Sequence, residues 1–308
     1  MSVFERKLNL SQLDQLGQSA LLWLDDLFRY WAPAGSGPRS GTQHPLRFAI
    51  RKDYANFYVS GQSVAKLSLG SKGPSVLVHD KYLEADAAKR NQLGQTYSRF
   101  DTASTPSTVA NWMTIAATYK GDEKDFVERL IAANPNVIDM EMALPALPDR
   151  KKSAVRMDLV ALEPCDSGWK LVFWEAKMAS NPDARSRDVP KVVGQCHAYR
   201  DWLGHAGQDN KKLVIDAYTA VCRDLVKIHE RVTQSPLGHD SPPLGQGIRD
   251  VAEGKALLTL DDRVRLIISD DSPSFEGKGH RQRLVKDYGI FVQLVPKGDK
   301  RPILAAQP

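Results

Sequence analysis

Asp158, Glu175 and Lys177 stand inside MDLVALEPCDSGWKLVFWEAK, two runs whose other residues have the composition of buried strands. Read as a hairpin that turns at CDSG, Asp158 and Glu175 lie equally far from the Asp166–Ser167 bond. A symmetric turn therefore sets them opposite each other, on one face, with Cβ atoms about 5 Å apart. Lys177, two residues beyond Glu175, falls on the same face. Two carboxylates held this close repel, and burial raises the pKa of at least one of them unless a cation sits between. Hard oxygen donors favour Mg²⁺, with Mn²⁺ as a substitute.

These residues need elements to hold them. In GDEKDFVERLIAANP the apolar residues Phe126, Val127, Leu130 and Ile131 recur at helical spacing, and Asn134-Pro135 stops the helix. At about 100° per residue, Glu123 lies within roughly 40° of Val127 and Leu130, so it looks inward, whereas Glu128 falls on the polar side. Glu123 is the preferred third carboxylate, and Glu141 in the intervening strand competes with it. VIDMEMAL, VRMDLVAL and WKLVFWEAK read as strands, and a helix over roughly Pro190 to Leu203 is closed by Gly204. KKLVIDAYTAV reads as a strand or the start of a helix. SPLGHDSPPLGQG reads as an exposed loop, and VRLIIS and GIFVQLV as late strands around the basic segment GKGHRQRLVK.

The pattern of an acid on a helix, Asp158 in a strand and Glu175-Ala176-Lys177 ending the next resembles the PD-(D/E)XK nuclease superfamily. Gln195 and Tyr199, four residues apart on one helical face in GQCHAYRDWL, resemble the Q-x3-Y signature of its RecB-type branch. The likeness spans roughly residues 120 to 205. Met157 stands where the motif's name has proline.

The resemblance implies an α/β fold, with a restriction-endonuclease-like core of mixed sheet flanked by helices. It implies a metal held by Asp158, Glu175 and the Ala176 carbonyl, with Glu123 contributing through water. Lys177 would position or deprotonate the attacking water, and Gln195 and Tyr199 would orient the lysine, the water or a phosphate. Such a Mg²⁺ acidifies a bound water and neutralises charge on phosphate oxygens. The implied activity is hydrolysis of DNA phosphodiester bonds, as an endonuclease in DNA repair or in defence against foreign DNA. The alternatives are a catalytically silent nucleic-acid-binding or assembly module with the same fold, or an RNA nuclease.

The remaining chain frames this core. Length points to two domains, with residues 1–110 an N-terminal α/β extension for gripping a substrate or partner and 111–308 the nuclease-like domain. LSQLDQLGQSALLWLDDLFRYW has the spacing of one helix; residues 46–79 alternate as a small antiparallel β-meander; Tyr82–Phe100 reads as helical; and Thr105-Pro106 starts another helix to about Tyr119. In the meander, Arg47 and Arg51 share a face, and Tyr54, Asn56 and Tyr58 are read as ordinary sheet packing rather than a base-stacking surface.

The net charge of +5 suits a polyanionic partner and lies mainly in the first third, where residues 1–110 hold 13 Lys/Arg against 9 Asp/Glu. Arg150, Lys151, Lys152 and Arg156 before the Asp158 strand, and Arg185, Arg187 and Lys191 after the Glu175 strand, are the candidate phosphate contacts. A homodimer or protein partner would explain cutting of both strands. No apolar run is long enough for a membrane span, and the charged start lacks the pattern of a secretory signal, giving the expectation of a cytoplasmic protein. Three widely separated cysteines suggest neither disulfides nor a zinc site. His197 points away from the Gln195/Tyr199 face, and His229, His239 and His280 lack partners at metal-ligand spacing.

Overall fold

The computed structural model describes residues 4–14, 16–17, 21–100, 107–145, 156–205, 209–237 and 240–306. After a 3-10 turn at Leu10–Leu13 comes helix α1 (Leu22–Tyr30). The single early helix expected from LSQLDQLGQSALLWLDDLFRYW is therefore two pieces. Between them Gly17, at φ +80°, takes a left-handed conformation that an α-helix cannot contain.

Strands β1 (Arg47–Ile50), β2 (Ala55–Val59), β3 (Gln62–Gly70) and β4 (Gly73–His79) form the expected meander. Ser60 and Gly61, both at positive φ, make the two-residue turn between β2 and β3, which needs a left-handed backbone at both positions. The expected helix over Tyr82–Phe100 is corrected. Only α2 (Asp80–Leu83) and α3 (Ala87–Arg90) form there, and Tyr97–Phe100 becomes β5, pairing with β4. Asp86, whose side chain caps α3, and Gly94 keep the segment from propagating as one helix.

Helix α4 (Ser107–Ala117) crosses residue 110 and packs on β2, β3 and α1, so its contacts join it to the N-terminal sheet. Its expected start at Thr105-Pro106 lies outside the described residues. Helix α5 (Asp122–Ala133) and strands β6 (Val137–Ala143), β7 (Arg156–Cys165) and β8 (Gly168–Met178) follow. After α6 (Pro182–Arg185) come α7 (Lys191–Leu203) and α8 (Asn210–Gln234). KKLVIDAYTAV opens α8, so its strand reading is overturned: Val214, Ala217, Tyr218 and Val221 are buried at helical spacing. The chain then forms α9 (Gln246–Ala252), β9 (Leu257–Asp270), α10 (Ser274–Gly277), α11 (His280–Lys286) and β10 (Phe291–Pro296). In the proline-rich loop before α9, Ser235, Leu244 and Gly245 are buried, so that loop is only partly the exposed one expected.

The described residues form an α/β structure with two sheets. The first is antiparallel in the order β1-β2-β3-β4-β5; the second runs β10-β9-β8-β7-β6. It is mixed, because β9 lies parallel to both β8 and β10 while β6, β7 and β8 are antiparallel. Alternation along β8 divides its core. Leu171 and Phe173 face Tyr199 and Tyr218 from α7 and α8, whereas Val172, Trp174 and Ala176 meet Phe126, Val127, Leu130 and Ile131 of α5. Burial of each large apolar side chain contributes roughly 1.5–3 kcal/mol, which fixes both helix layers against the strands.

Ion pairs tie the first sheet to α5, through Arg47 and Glu128, and to β6 of the second sheet, through Arg51 and Asp139. Arg47 Nε donates to Glu128 Oε1 at 2.9 Å, so Glu128 lies against the first sheet rather than on a solvated face. Arg51 Nη1 donates to Asp139 Oδ1 at 2.6 Å and its Nη2 to the Met140 carbonyl at 2.6 Å. Asn56 and Tyr58 are buried, in keeping with sheet packing. No helix among the described residues is long and apolar enough to cross a membrane.

Candidate active site

The β7–β8 hairpin pairs Cys165 with Gly168 and Leu159 with Trp174, the register that a symmetric turn at Asp166–Ser167 requires. Carried one residue further, it sets Asp158 across from Glu175. Gly168 is needed at this turn: its φ is +135°, and a Cβ there would lie 2.6 Å from the Leu257 carbonyl oxygen of incoming β9. Asp158 Oδ2 accepts the Ala176 N–H at 2.9 Å. Lys177 Nζ lies 2.8 Å from Glu175 Oε1, 3.3 Å from Glu123 Oε1 and 4.0 Å from Asp158 Oδ2, and donates to the Ala176 carbonyl at 3.2 Å. Asp158, Glu175 and Lys177 are all buried.

Both acids considered for the third position reach this cluster by different routes. Glu123, in the first turn of α5, faces inward to Lys177, and Asn181 Nδ2 fixes its other oxygen at 2.8 Å. Glu141 stands beside Asp158, because Met140 pairs with Leu159 and Met142 with Met157 on either side of it. Its φ of +51° is strained for a non-glycine residue and turns it out of the strand ladder. The Glu141 carboxylate pairs with Lys124, whose Nζ also lies 3.7 Å from Asp158 Oδ1.

Lys124 is the residue that sequence reasoning missed. A lysine among the acids of a first helical turn reads as solvated, and only tertiary contacts reveal its task. The β2–β3 turn makes room for it: a Cβ on Gly61 would stand 2.5 Å from Lys124 Cδ. Asn181, followed by Pro182, carried the ordinary signal of a helix cap and does cap α6, while its amide also serves Glu123.

With all groups ionised, four carboxylates and two ammonium groups leave the cluster two negative charges in excess, the charge of one divalent cation. Burial, then Asp158, pushes the Glu175 carboxyl up to about 8 against the pull of Lys177. Burial likewise raises Asp158, although Lys177, Lys124 and the Ala176 N–H oppose it. Burial alone would lower Lys177, but Glu175 and Asp158 outweigh it and hold the ammonium above its usual range. All three groups are thus displaced upward within one buried cluster, by burial for the acids and by the acids for the lysine, the electrostatic pattern of functional sites.

The donor set fits a hard cation in type. Glu175 Oε2 is buried with no hydrogen-bond partner, and the Ala176 carbonyl lies beside it in the chain. Among the described residues, however, no three carboxylate, imidazole or thiolate side chains converge closely enough to hold a metal ion. Lys177 Nζ itself stands among the oxygens.

On α7, Tyr199 is fully buried with its ring 4.6 Å from that of Phe173, on the Glu175 face of β8. Its hydroxyl and the Gln195 carbonyl oxygen are both buried without a partner. Neither is hydrogen-bonded to Lys177, so the expected orienting contact is not made directly. Cys196, between them, is pushed up to about 12 by burial and then by Glu175, which sets this helix beside the acids. His197 is exposed.

Of the candidate phosphate contacts, Arg150, Lys151 and Lys152 lie outside the described residues. Arg156 is exposed at the start of β7. Arg185 donates to Ser274 Oγ at 2.9 Å, Arg187 is exposed, and Lys191 pairs with Asp183 at 3.1 Å. No protein-family model, curated protein or solved structure matches the chain.

Proposed function

We propose that the chain is a Mg²⁺-dependent nuclease with a PD-(D/E)XK core that hydrolyses DNA phosphodiester bonds. One observation carries this reading: Lys177 Nζ lies within 4.0 Å of Glu175, Glu123 and Asp158 at the end of one hairpin, in the order that the resemblance requires. Asp158, Glu175 and the Ala176 carbonyl would hold the metal, which when bound acidifies a water and neutralises charge on the phosphate.

This chain's own groups then have separable tasks. Lys177 keeps its proton under the pull of Glu175 and Asp158, so it acts as a hydrogen-bond donor and fixed charge rather than as a base. Glu123, held by Asn181, sets the lysine's direction. Lys124 balances Glu141 and Asp158 on the other side. Asp158 binds the Ala176 N–H and so fixes the adjoining carbonyl relative to its own carboxylate.

The test is a panel of linear, circular, single-stranded and branched DNA, with matched RNA, in Mg²⁺, Mn²⁺ or chelator. Asp158→Ala, Glu175→Ala and Lys177→Ala are each expected to abolish metal-dependent cleavage while keeping the fold. Equal activity in wild type and all three variants would sink the reading. A second reading, a silent nucleic-acid-binding module, is favoured by the ammonium of Lys177 standing where a cation would sit. It gains if the protein binds DNA equally with Mg²⁺ or chelator and cleaves nothing in the panel.

A further inference from the structure

The basic segment GKGHRQRLVK has no part in the site above. It folds as the α10–α11 corner, and there Lys278, His280 and Arg283 meet Arg185 and Arg187 around one cleft, with Gly279 between them. The cleft lining contains no carboxylate. Of the nearby acids, Glu276 pairs with Arg281 and Asp183 with Lys191, Asp188 is exposed beside Arg187, and Asp287, at the end of α11, lies 4.0 Å from Arg283 Nε.

The cleft is preformed. Arg283 donates to the Ser186 carbonyl at 2.8 Å and to the Asp188 carbonyl at 2.7 Å, and Arg185 donates to Ser274 Oγ at 2.9 Å. These bonds staple the 185–188 loop to the α10–α11 corner and hold both guanidinium groups in place. They do not neutralise them, since their acceptors are uncharged. Burial and the charges of Arg185, Lys278 and Arg283 all depress His280, as expected where the local field is positive. Four permanent cations gathered with only the outlying Asp287 carboxylate against them destabilise the fold unless an anion relieves them.

The position says which anion. Arg185 follows Asn181, the residue that holds Glu123, by four positions along α6, about 6 Å at 1.5 Å per residue. A ligand that occupies the cleft and also reaches the Asp158/Glu175 cluster must carry negative charges at repeated short spacing. A nucleic-acid strand does, with one phosphate about every 3.4 Å of helix axis. We infer that this cleft binds backbone phosphates of the DNA strand beside the scissile bond, through Arg185, Arg187, Lys278 and Arg283. The choice of DNA rests on the nuclease reading; the phosphate chemistry rests on the cleft alone.

The experiment measures DNA binding in chelator, so that no cleavage is required. Anisotropy of a labelled duplex is titrated over a range of NaCl for wild type, Arg187→Glu/Lys278→Glu and the control Lys72→Glu/Lys227→Glu. The paired cleft variant is chosen because Arg187 and Lys278 are exposed, and thermal melts confirm that it folds. We expect at least tenfold weaker binding for the cleft pair, with a salt slope smaller by about 2, since each lost phosphate contact removes about 0.9. The control pair, also exposed and outside the cleft, is expected to change affinity less than twofold. Unaltered affinity and slope in the cleft pair, or an equal loss in the control pair, would overturn the proposal. Tighter binding of a matched RNA duplex with the same cleft dependence would overturn the choice of DNA. A protein that binds DNA through the cleft yet cleaves nothing refutes the nuclease reading and leaves the cleft standing. Cleavage lost in Asp158→Ala, with binding indifferent to the cleft pair, does the reverse.

Discussion

Replacing Glu175 by glutamine separates a functional carboxylate from a structural ion pair by the sign of its effect on stability. Glu175 is 2% exposed, one oxygen has no partner, and its carboxyl is raised from 4.5 to about 8. The folded protein therefore holds this proton more tightly than the unfolded chain. The associated stability is complete below about pH 4.5 and is lost as pH rises to about 8. At about 1.36 kcal/mol per unit, the full span is on the order of 5 kcal/mol, and about 3 kcal/mol is already lost at pH 7. Glutamine resembles the protonated form at every pH. Allowing half for side-chain relaxation and the weakened Lys177 contact, Glu175→Gln should be more stable than wild type by about 2 kcal/mol at pH 8, and equal to it near pH 4.5. It should also cleave nothing. Urea unfolding followed by circular dichroism, in chelator at both pH values, reads the difference directly. If Glu175 were simply the structural partner of Lys177, its removal would cost about 3–5 kcal/mol instead. A variant less stable than wild type at pH 8 refutes the argument.

Lys124→Met should leave Glu141 and Asp158 without their shared counter-charge and lower cleavage at least tenfold, with the fold retained by circular dichroism; undiminished activity would remove Lys124 from the site. Arg51→Met leaves the buried Asp139 with the Tyr218 hydroxyl, the Met140 N–H and, as its nearest cation, the more distant Arg6, and should cost about 3–5 kcal/mol in urea unfolding, whereas a loss below about 1 kcal/mol would show the junction to be dispensable. Mg²⁺ at a hundred times its dissociation constant should stabilise wild type by about 2.7 kcal/mol, seen as a raised melting temperature, and should not stabilise Asp158→Ala; equal shifts in both would place the metal elsewhere.

The hairpin was legible because an antiparallel register follows from symmetry about a short turn, and no distant residue is needed to set it. Glu123 was legible because apolar periodicity fixes which face of a helix looks inward. Lys124 was not, because its position depends on Gly61, which is 63 positions away in sequence and in the other sheet. The same limit misread Glu128. Helical geometry put it opposite the α5 core stripe, but Arg47 from the first sheet covers that side. Tyr82–Phe100 was misread for a different reason: local spacing allowed a helix, and pairing with β4 selected a strand at its end. The cleft basic residues come from segments about a hundred positions apart, so their sequence showed charge but not convergence.

The N-terminal sheet has a structural bearing on the site beyond any role in gripping substrate. Its β2–β3 turn leaves the space that Lys124 occupies, and that lysine balances Glu141 and Asp158. Its Arg51 grips Asp139 and the Met140 carbonyl immediately before Glu141, the strained residue of β6. A backbone at φ +51° persists only where neighbours over-determine it, and Arg51 supplies two of those bonds. Arg47 holds α5 from the same sheet through Glu128, one turn beyond Lys124. Three contacts from one sheet thus bear on the helix and the strand that flank Asp158. The carboxylates come from the second sheet and α5, but their spacing depends on the first, so the two cannot be assigned separately to binding and chemistry.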